Sequence, residues 1–272
     1  MTNQMNIRVL RSYVGGFAWP TLALAVGTWS VFGAACYATL VGVLPPLALL
    51  LVATVCNLYS FTVFHEAAHE NIEGKGRGGW LTAAIGAVAG VMFMAPFAAV
   101  RRIHLTHHQH TNDPANDPDH WVATKNPVML LLRCATIYPR YLYCYLVKID
   151  RPRTELMKEI VILLGLWITA VAALSTPWAD VSLYGFMMPS FLGMGFTAFF
   201  LDWLPHHPHQ ETSPVSNTRN FPSRFLSVIL VGHNVHGVHH LNPRIPFYRC
   251  QRAYDAATAP LAPSDRQTLK SA

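Results

Sequence analysis

The chain has 272 residues, of which 52% are hydrophobic and only 12% are Asp, Glu, Lys or Arg, with a formal net charge of +6. An ordinary soluble domain carries about 25% charged residues, and a disordered chain needs low hydrophobicity and high charge, so the composition excludes disorder and points to a membrane protein. Cys36, Cys56, Cys134, Cys144 and Cys250 include no C-x-x-C pair, which excludes a disulfide framework, a zinc ribbon and an iron–sulfur site and leaves five free thiols.

A bilayer crossing takes about 20 apolar residues, and four stretches are long enough. They run over 17–40, 44–64, 160–178 and 181–201, and none contains Asp, Glu, Lys or Arg. The first could be read as a secretory signal, with Arg8 and Arg11 ahead of it and Gly33-Ala34-Ala35 near its end. Its apolar run is too long for that, and a second span follows at once. A fifth charge-free stretch, 80–100, is rich in Gly and Ala and interrupted by Pro96. Residues 128–147, with Arg133, Arg140 and four tyrosines, read as an amphipathic helix at the membrane interface. A polar tail, 258–272, is expected to be weakly ordered, and the whole of 1–272 reads as one membrane domain.

Charge sets the orientation. The Lys and Arg precede the first span, lie between the second and third (Lys75, Arg77, Arg101 and Arg102 among them), or follow the fourth, and the two short turns near 41–44 and 175–180 hold none. The positive-inside rule then puts both termini and the long central loop in the cytoplasm, as in a bacterial inner membrane. The same rule accounts for the net positive charge without nucleic acid as a partner. Since Lys75-Gly-Arg77 and Arg101-Arg102 flank 80–100, both ends of that stretch are cytoplasmic. It must lie in the interface, dip in and return, or pack as a buried helix.

Fourteen histidines equal the Asp and Glu total, and most are clumped. The clusters are His65-Glu-Ala-Ala-His69, His104-Leu-Thr-His107-His108 and His236-Gly-Val-His239-His240. On a helix, residues three or four apart share a face, so each cluster aims two or three imidazoles the same way. Imidazole is the commonest metal ligand, and histidine with few carboxylates suits Fe, Zn, Cu or Ni rather than Ca or Mg. Eight imidazoles exceed the four of one structural zinc and are enough for two metals. His65-Glu66-x-x-His69 also matches the H-E-x-x-H protease pattern, but that leaves two clusters unexplained. His110, His120, His207 and His209 read as ordinary interfacial residues.

The spans and clusters together resemble the membrane fatty-acid desaturase and hydroxylase superfamily, whose members carry H-x(3–4)-H, H-x(2–3)-H-H and H/Q-x(2–3)-H-H boxes around four spans. The likeness covers about 15–255. Narrower likeness, to the cyanobacterial-type β-carotene hydroxylases, lies in Arg102-Ile-His-Leu-Thr-His-His108, Asn112-Asp-Pro-Ala-Asn-Asp-Pro-Asp-His120, Leu201-Asp-Trp-Leu-Pro-His206 and Asn234-Val-His-Gly-Val-His-His-Leu-Asn-Pro-Arg-Ile-Pro-Phe-Tyr248. His233 stands where that group is expected to carry Gln, so it is not counted as a first-choice ligand.

The resemblance implies an all-α integral membrane fold, with four transmembrane helices under a cytoplasmic histidine-rich cap. It implies a non-haem di-iron centre, O₂ as co-substrate, a lipid-soluble substrate and an external electron donor. It also implies a ninth ligand between the second and third clusters, carried here onto His206, with His207 and His209 as its competitors. The metal set is then His65, His69, His104, His107, His108, His206, His236, His239 and His240. Asp113, Asp117 and Asp202 are candidates for orienting imidazole N–H groups, although Asn-Asp-Pro twice in seven residues is equally a turn signature. Glu66 is a candidate for the same role or for proton donation. No G-x-G-x-x-G after a strand, no haem motif and no cysteine set for iron–sulfur is present, so the donor is expected to be a separate ferredoxin-like protein with its reductase. The best match is carotenoid ring hydroxylation. Acyl desaturation on the same scaffold is the alternative, and a membrane metal-binding or transport protein a remote one, since a transporter should place ionisable groups within the spans. The small residues of 83–90 could line a substrate path or simply let helices pack closely.

Overall fold

The computed structural model describes residues 6–74 and 79–260. Lys75, Arg77, Arg266, Lys270 and most of the polar tail from Thr258 lie outside the described residues. Regular structure is helical throughout, with no strand among the described residues. Among the described residues, four helices are long and apolar enough to cross a membrane: Trp19–Leu40, Pro46–Ala68, Arg153–Ala173 and Val181–His206. Outward-facing Val26, Leu51, Val161, Ile168 and Phe196 are exposed, as suits spans whose solvent is lipid.

The boundaries differ from those read off hydropathy, for local reasons. The second span runs to Ala68 rather than 64, so His65 and Glu66 are carried inside it and His69 caps it. The third begins at Arg153, after Pro152, and its first turns hold Glu155, Lys158 and Glu159. It stops at Ala173, short of 178, in a turn that includes Pro177. The fourth continues past 201 to His206. Pro205 lacks an N–H and would break a regular helix; the π-helical turn Ala198–Trp203 precedes it, and such wide turns absorb this kind of defect.

The stretch from Trp80 does not continue as one helix. Trp80–Met92 and Phe97–His110 meet at a 94° bend, made by Met94 in the left-handed region (φ 52) and Pro96 as the second helix's N-cap. The glycines serve this bend. A Cβ on Gly86 would stand 2.5 Å from the Phe97 ring, and one on Gly90 would stand 2.7 Å from Ala95 O. The small residues of 83–90 therefore act in close packing. The interfacial stretch forms Pro127–Ala135 and Ile137–Tyr143. Its Leu130, Ile137 and Tyr138 are buried, while Val128, Leu131 and Leu132 are exposed.

Span two is the centre of the bundle. Half of its most apolar window is buried, against 11% for span three, and it packs on span one, span four and the bent pair. Phe61, Phe64 and Phe93 form its core, with Phe61 and Phe93 edge to face at 6.2 Å. In a bundle surrounded by lipid such rings stabilise by close packing rather than by leaving water. Phe61 also lies 5.9 Å from the His65 ring, so this aromatic layer forms the floor of the histidine cluster. The start of span one meets the end of span two, Ala18 N–H donating to Ile72 O at 2.9 Å.

Candidate metal centre

Each histidine cluster sits where a helix ends. Span two delivers His65 and His69, and the outgoing arm of the bent pair delivers His104, His107 and His108 in its last two turns. Span four ends on His206, and the short helix His236–Leu241 carries His236, His239 and His240. Arg101 locks the first two sources together: its Nε donates to Ala68 O at 2.9 Å and its Nη2 to Glu70 at 2.9 Å. A cation on the last carbonyls of a helix is favourable there. Arg102 ties the same helix to span three through a bidentate pair with Glu155. The third cluster is placed by Asn234, which donates to Phe221 O and Ser223 O and accepts from Ser227. Gly232, at φ +79, makes the turn that leads into it.

The nine histidines of the expected set fall into two groups. His65, His69, His104, His108 and His239 place one ligand atom each within 4.8 Å of one another, and so do His107, His206, His236 and His240. The groups are neighbours: the rings of His108 and His240 stack at 4.4 Å. In the first group Nε2 faces Nε2 between His65 and His239 (2.9 Å), His239 and His108 (2.9 Å), His108 and His104 (3.2 Å), and His104 and His69 (2.7 Å). In the second, His240 Nε2 lies 3.3 Å from His107 Nε2 and 3.2 Å from His236 Nε2.

This geometry fits metal ions. Adjacent ligands at a metal–nitrogen distance of about 2.1 Å stand about 3.0 Å apart, the spacing found here. A neutral imidazole has one N–H, so five converging Nε2 atoms cannot all satisfy one another. His206 Nε2 is buried with no hydrogen-bond partner at all. Burial and mutual repulsion hold His69, His104, His108, His236, His239 and His240 well below the ordinary imidazole range, which keeps them in the neutral form that metals bind.

His107 differs. Burial opposes its charge, but Asp117 and Asp119 overcome that and push it up to about 10. Its Nδ1 lies 2.9 Å from Asp117 Oδ1 and 3.2 Å from Asp119 Oδ2. A metal ion at Nε2 would take the place of the extra proton, with Nδ1–H still donating to the carboxylates. Asp119 is itself raised, to about 6, chiefly by burial.

The other expected residues lie as follows. Asp202 is buried and accepts from the Tyr141 hydroxyl at 2.9 Å. Asp113 stands on the turn, accepting from Ala115 N–H at 2.9 Å and Asn116 Nδ2 at 2.7 Å; of its two readings, the geometry carries turn formation. Glu66 turns away from the imidazoles and accepts the Phe247 N–H at 3.2 Å, at the start of the C-terminal helix Phe247–Thr258. His233 joins neither group; its Nε2 lies 3.1 Å from Thr62 Oγ1. His209 and His120 pair at 5.9 Å between ring centroids, and His110 is exposed. Sequence reasoning missed Asp119, Tyr141 and Arg101. Asp119 is a third acid in the 112–120 motif, while the sequence marks Tyr141 only as an interfacial aromatic.

The family model for fatty acid desaturases matches residues 41–269. That range holds three of the four spans and all nine histidines. The chain belongs to the fatty acid desaturase family. It is an oxidoreductase-family, multi-pass membrane protein whose histidine groups are compatible with a di-iron centre. No curated protein matches the chain.

Proposed function

We propose that the chain is an O₂-dependent, non-haem di-iron membrane oxidoreductase, and that it hydroxylates the ring of a carotenoid such as β-carotene. The observation that carries the di-iron reading is the partition of nine imidazoles into adjacent groups of five and four. His65, His69, His104, His108 and His239 would hold one iron, and His107, His206, His236 and His240 the other. Bound there, the iron pair would supply the oxidising power for an unactivated C–H bond, which no side chain can break. The protein's own part is to hold nine imidazoles convergent, to fix the His107 tautomer through Asp117, and to keep water off the site with the Phe61 and Phe93 layer. Asp202 supports that arrangement through Tyr141.

Both termini and the metal site face the cytoplasm in this reading, supported by the Lys and Arg distribution, and 1–272 acts as one domain. Electrons come from a separate ferredoxin-like protein and its reductase. The lipid-soluble substrate enters from the bilayer. A cavity of about 610 Å³ lies between spans three and four, lined by Ile162, Leu166, Ala170, Trp178 and Phe186. Carotenoid rather than acyl substrate rests on the likeness of the Leu201–His206 and Asn234–Tyr248 segments. Expression with a ferredoxin donor in a β-carotene-producing bacterium tests it, with pigment chromatography run beside fatty-acid analysis. New polar xanthophylls are expected. Unchanged pigments with a new acyl double bond would replace the substrate and leave the metal site standing.

A further inference from the structure

The two histidine groups differ in what surrounds them. Among the described residues, no carboxylate bonds a ring nitrogen of the five-histidine group. The four-histidine group has two, Asp117 at 2.9 Å and Asp119 at 3.2 Å from His107 Nδ1. Both are themselves held in place. Asp117 Oδ2 accepts Asn112 N–H at 2.7 Å, and Asp117 Oδ1 accepts Asp119 N–H at 2.9 Å. The Tyr141 hydroxyl lies 2.7 Å from Asp119 Oδ1 and 2.9 Å from Asp202 Oδ2. A hydroxyl has one proton to donate, so Asp119, Tyr141 and Asp202 share protons as one unit. That unit joins the loop after the second cluster, the helix Ile137–Tyr143 and the end of span four. All three carboxylates are buried.

Resting on the di-iron reading above, we infer that Asp117 and Asp119, braced by Tyr141 and Asp202, are positioning residues for one metal only, the four-histidine position, and so make the two metals unequal. The carboxylates fix the Nδ1–H tautomer of His107, aim its Nε2 inward and strengthen it as a donor. They stand beside the position with one imidazole fewer, where extra negative charge compensates for the missing donor. Hydrogen-bond partners of this kind are typically worth 10–100-fold in metal affinity.

The test is Mössbauer spectroscopy and chelator competition on purified full-length protein reconstituted anaerobically with ⁵⁷Fe(II). The wild type should show two distinct ferrous sites. Asp119→Asn should weaken one iron by about 10–100-fold and shift its spectrum, with the other iron in the same molecule as internal control. Asp119→Asn disturbs a buried loop, so Tyr141→Phe is the second variant; it leaves His107 its carboxylates but loosens their brace, and should shift the same site by less. Two irons of wild-type affinity and spectrum in Tyr141→Phe and in any folded Asp119→Asn protein, or equal shifts at both irons, overturn the inference while leaving the di-iron reading intact. A wild-type protein that holds no iron pair overturns the di-iron reading itself.

Discussion

His65 and His239 stand 174 residues apart in the chain, and their Nε2 atoms lie 2.9 Å apart. The contact joins the histidine-bearing end of span two to the last short helix before the C-terminal one. All nine converging imidazoles come from the last turns or final residues of helices, apart from His236 at the start of its own short one. The negative end of a helix dipole therefore faces the site from several directions. Neutral ligands would leave the charge of two divalent cations uncompensated, and these helix ends, with Asp117 and Asp119, would offset part of it.

The grouping makes histidine variants separable. His69→Ala and His206→Ala each remove a donor from a different group, so each should lower the iron content of purified protein from about two toward one per chain and abolish turnover, since a vacant coordination position changes geometry and potential. His233→Ala should keep both irons, because that ring bonds Thr62, and His120→Ala and His209→Ala should be mild. Elemental analysis beside turnover checks the set. Retention of two irons and full activity in His206→Ala would remove it from the centre.

Gly232 carries the third cluster into place at φ +79, and a Cβ there would meet Phe247 O. Gly232→Ala should cost more than about 1 kcal/mol and displace the Asn234 hydrogen bonds, so that His236, His239 and His240 lose register. Thermal unfolding and metal content should fall together. A variant as stable as wild type with both metals bound would show that the turn is tolerant.

Much of this arrangement is legible in the sequence because helical spacing survives in short motifs. His104, His107 and His108 announce one face from their intervals alone, and four charge-free runs announce the spans. Span ends are less legible, since hydropathy ends where charge begins while hydrogen bonding does not: span three carries Glu155 and Lys158 within its first turns. The bend at Met94–Pro96 depends on close contacts of Gly86 and Gly90 that composition does not reveal. Asp119 and Tyr141 were hidden for a different reason. Their partnership spans 22 residues and follows no periodicity, so only the fold brings them together.

Topology gives an independent check. The loop after the second cluster is positioned by Asn112, whose Nδ2 donates to Glu211 O at 2.7 Å and Asn217 O at 2.8 Å, so the segments after the second cluster and after span four must share one side. Reporter fusions after His120 and after Thr258 should both read as cytoplasmic. A periplasmic reading for either would contradict the orientation argued from the Lys and Arg.

Glu66 offers the sharpest separation of structural from chemical roles. It lies between His65 and His69, within an H-E-x-x-H pattern where a carboxylate would serve as a proton-transfer group. Yet its Oε1 accepts the Phe247 N–H, one of the first N–H groups of the C-terminal helix, which have no partner within their own helix. That helix holds Arg249, whose Nη1 donates to Gly15 O at 2.7 Å and so ties the chain ahead of span one to the cap. Glu66→Gln keeps an acceptor oxygen at Phe247 and should retain both irons, most of the turnover and stability within about 1 kcal/mol of wild type. Glu66→Ala strands a partly buried N–H and should lose about 1 kcal/mol, read as a lower unfolding temperature with iron content following it down. Stability and turnover should therefore move together across the two variants. A Glu66→Gln protein that is fully folded and loaded with iron but inactive would reverse the conclusion and give this carboxylate a proton to carry.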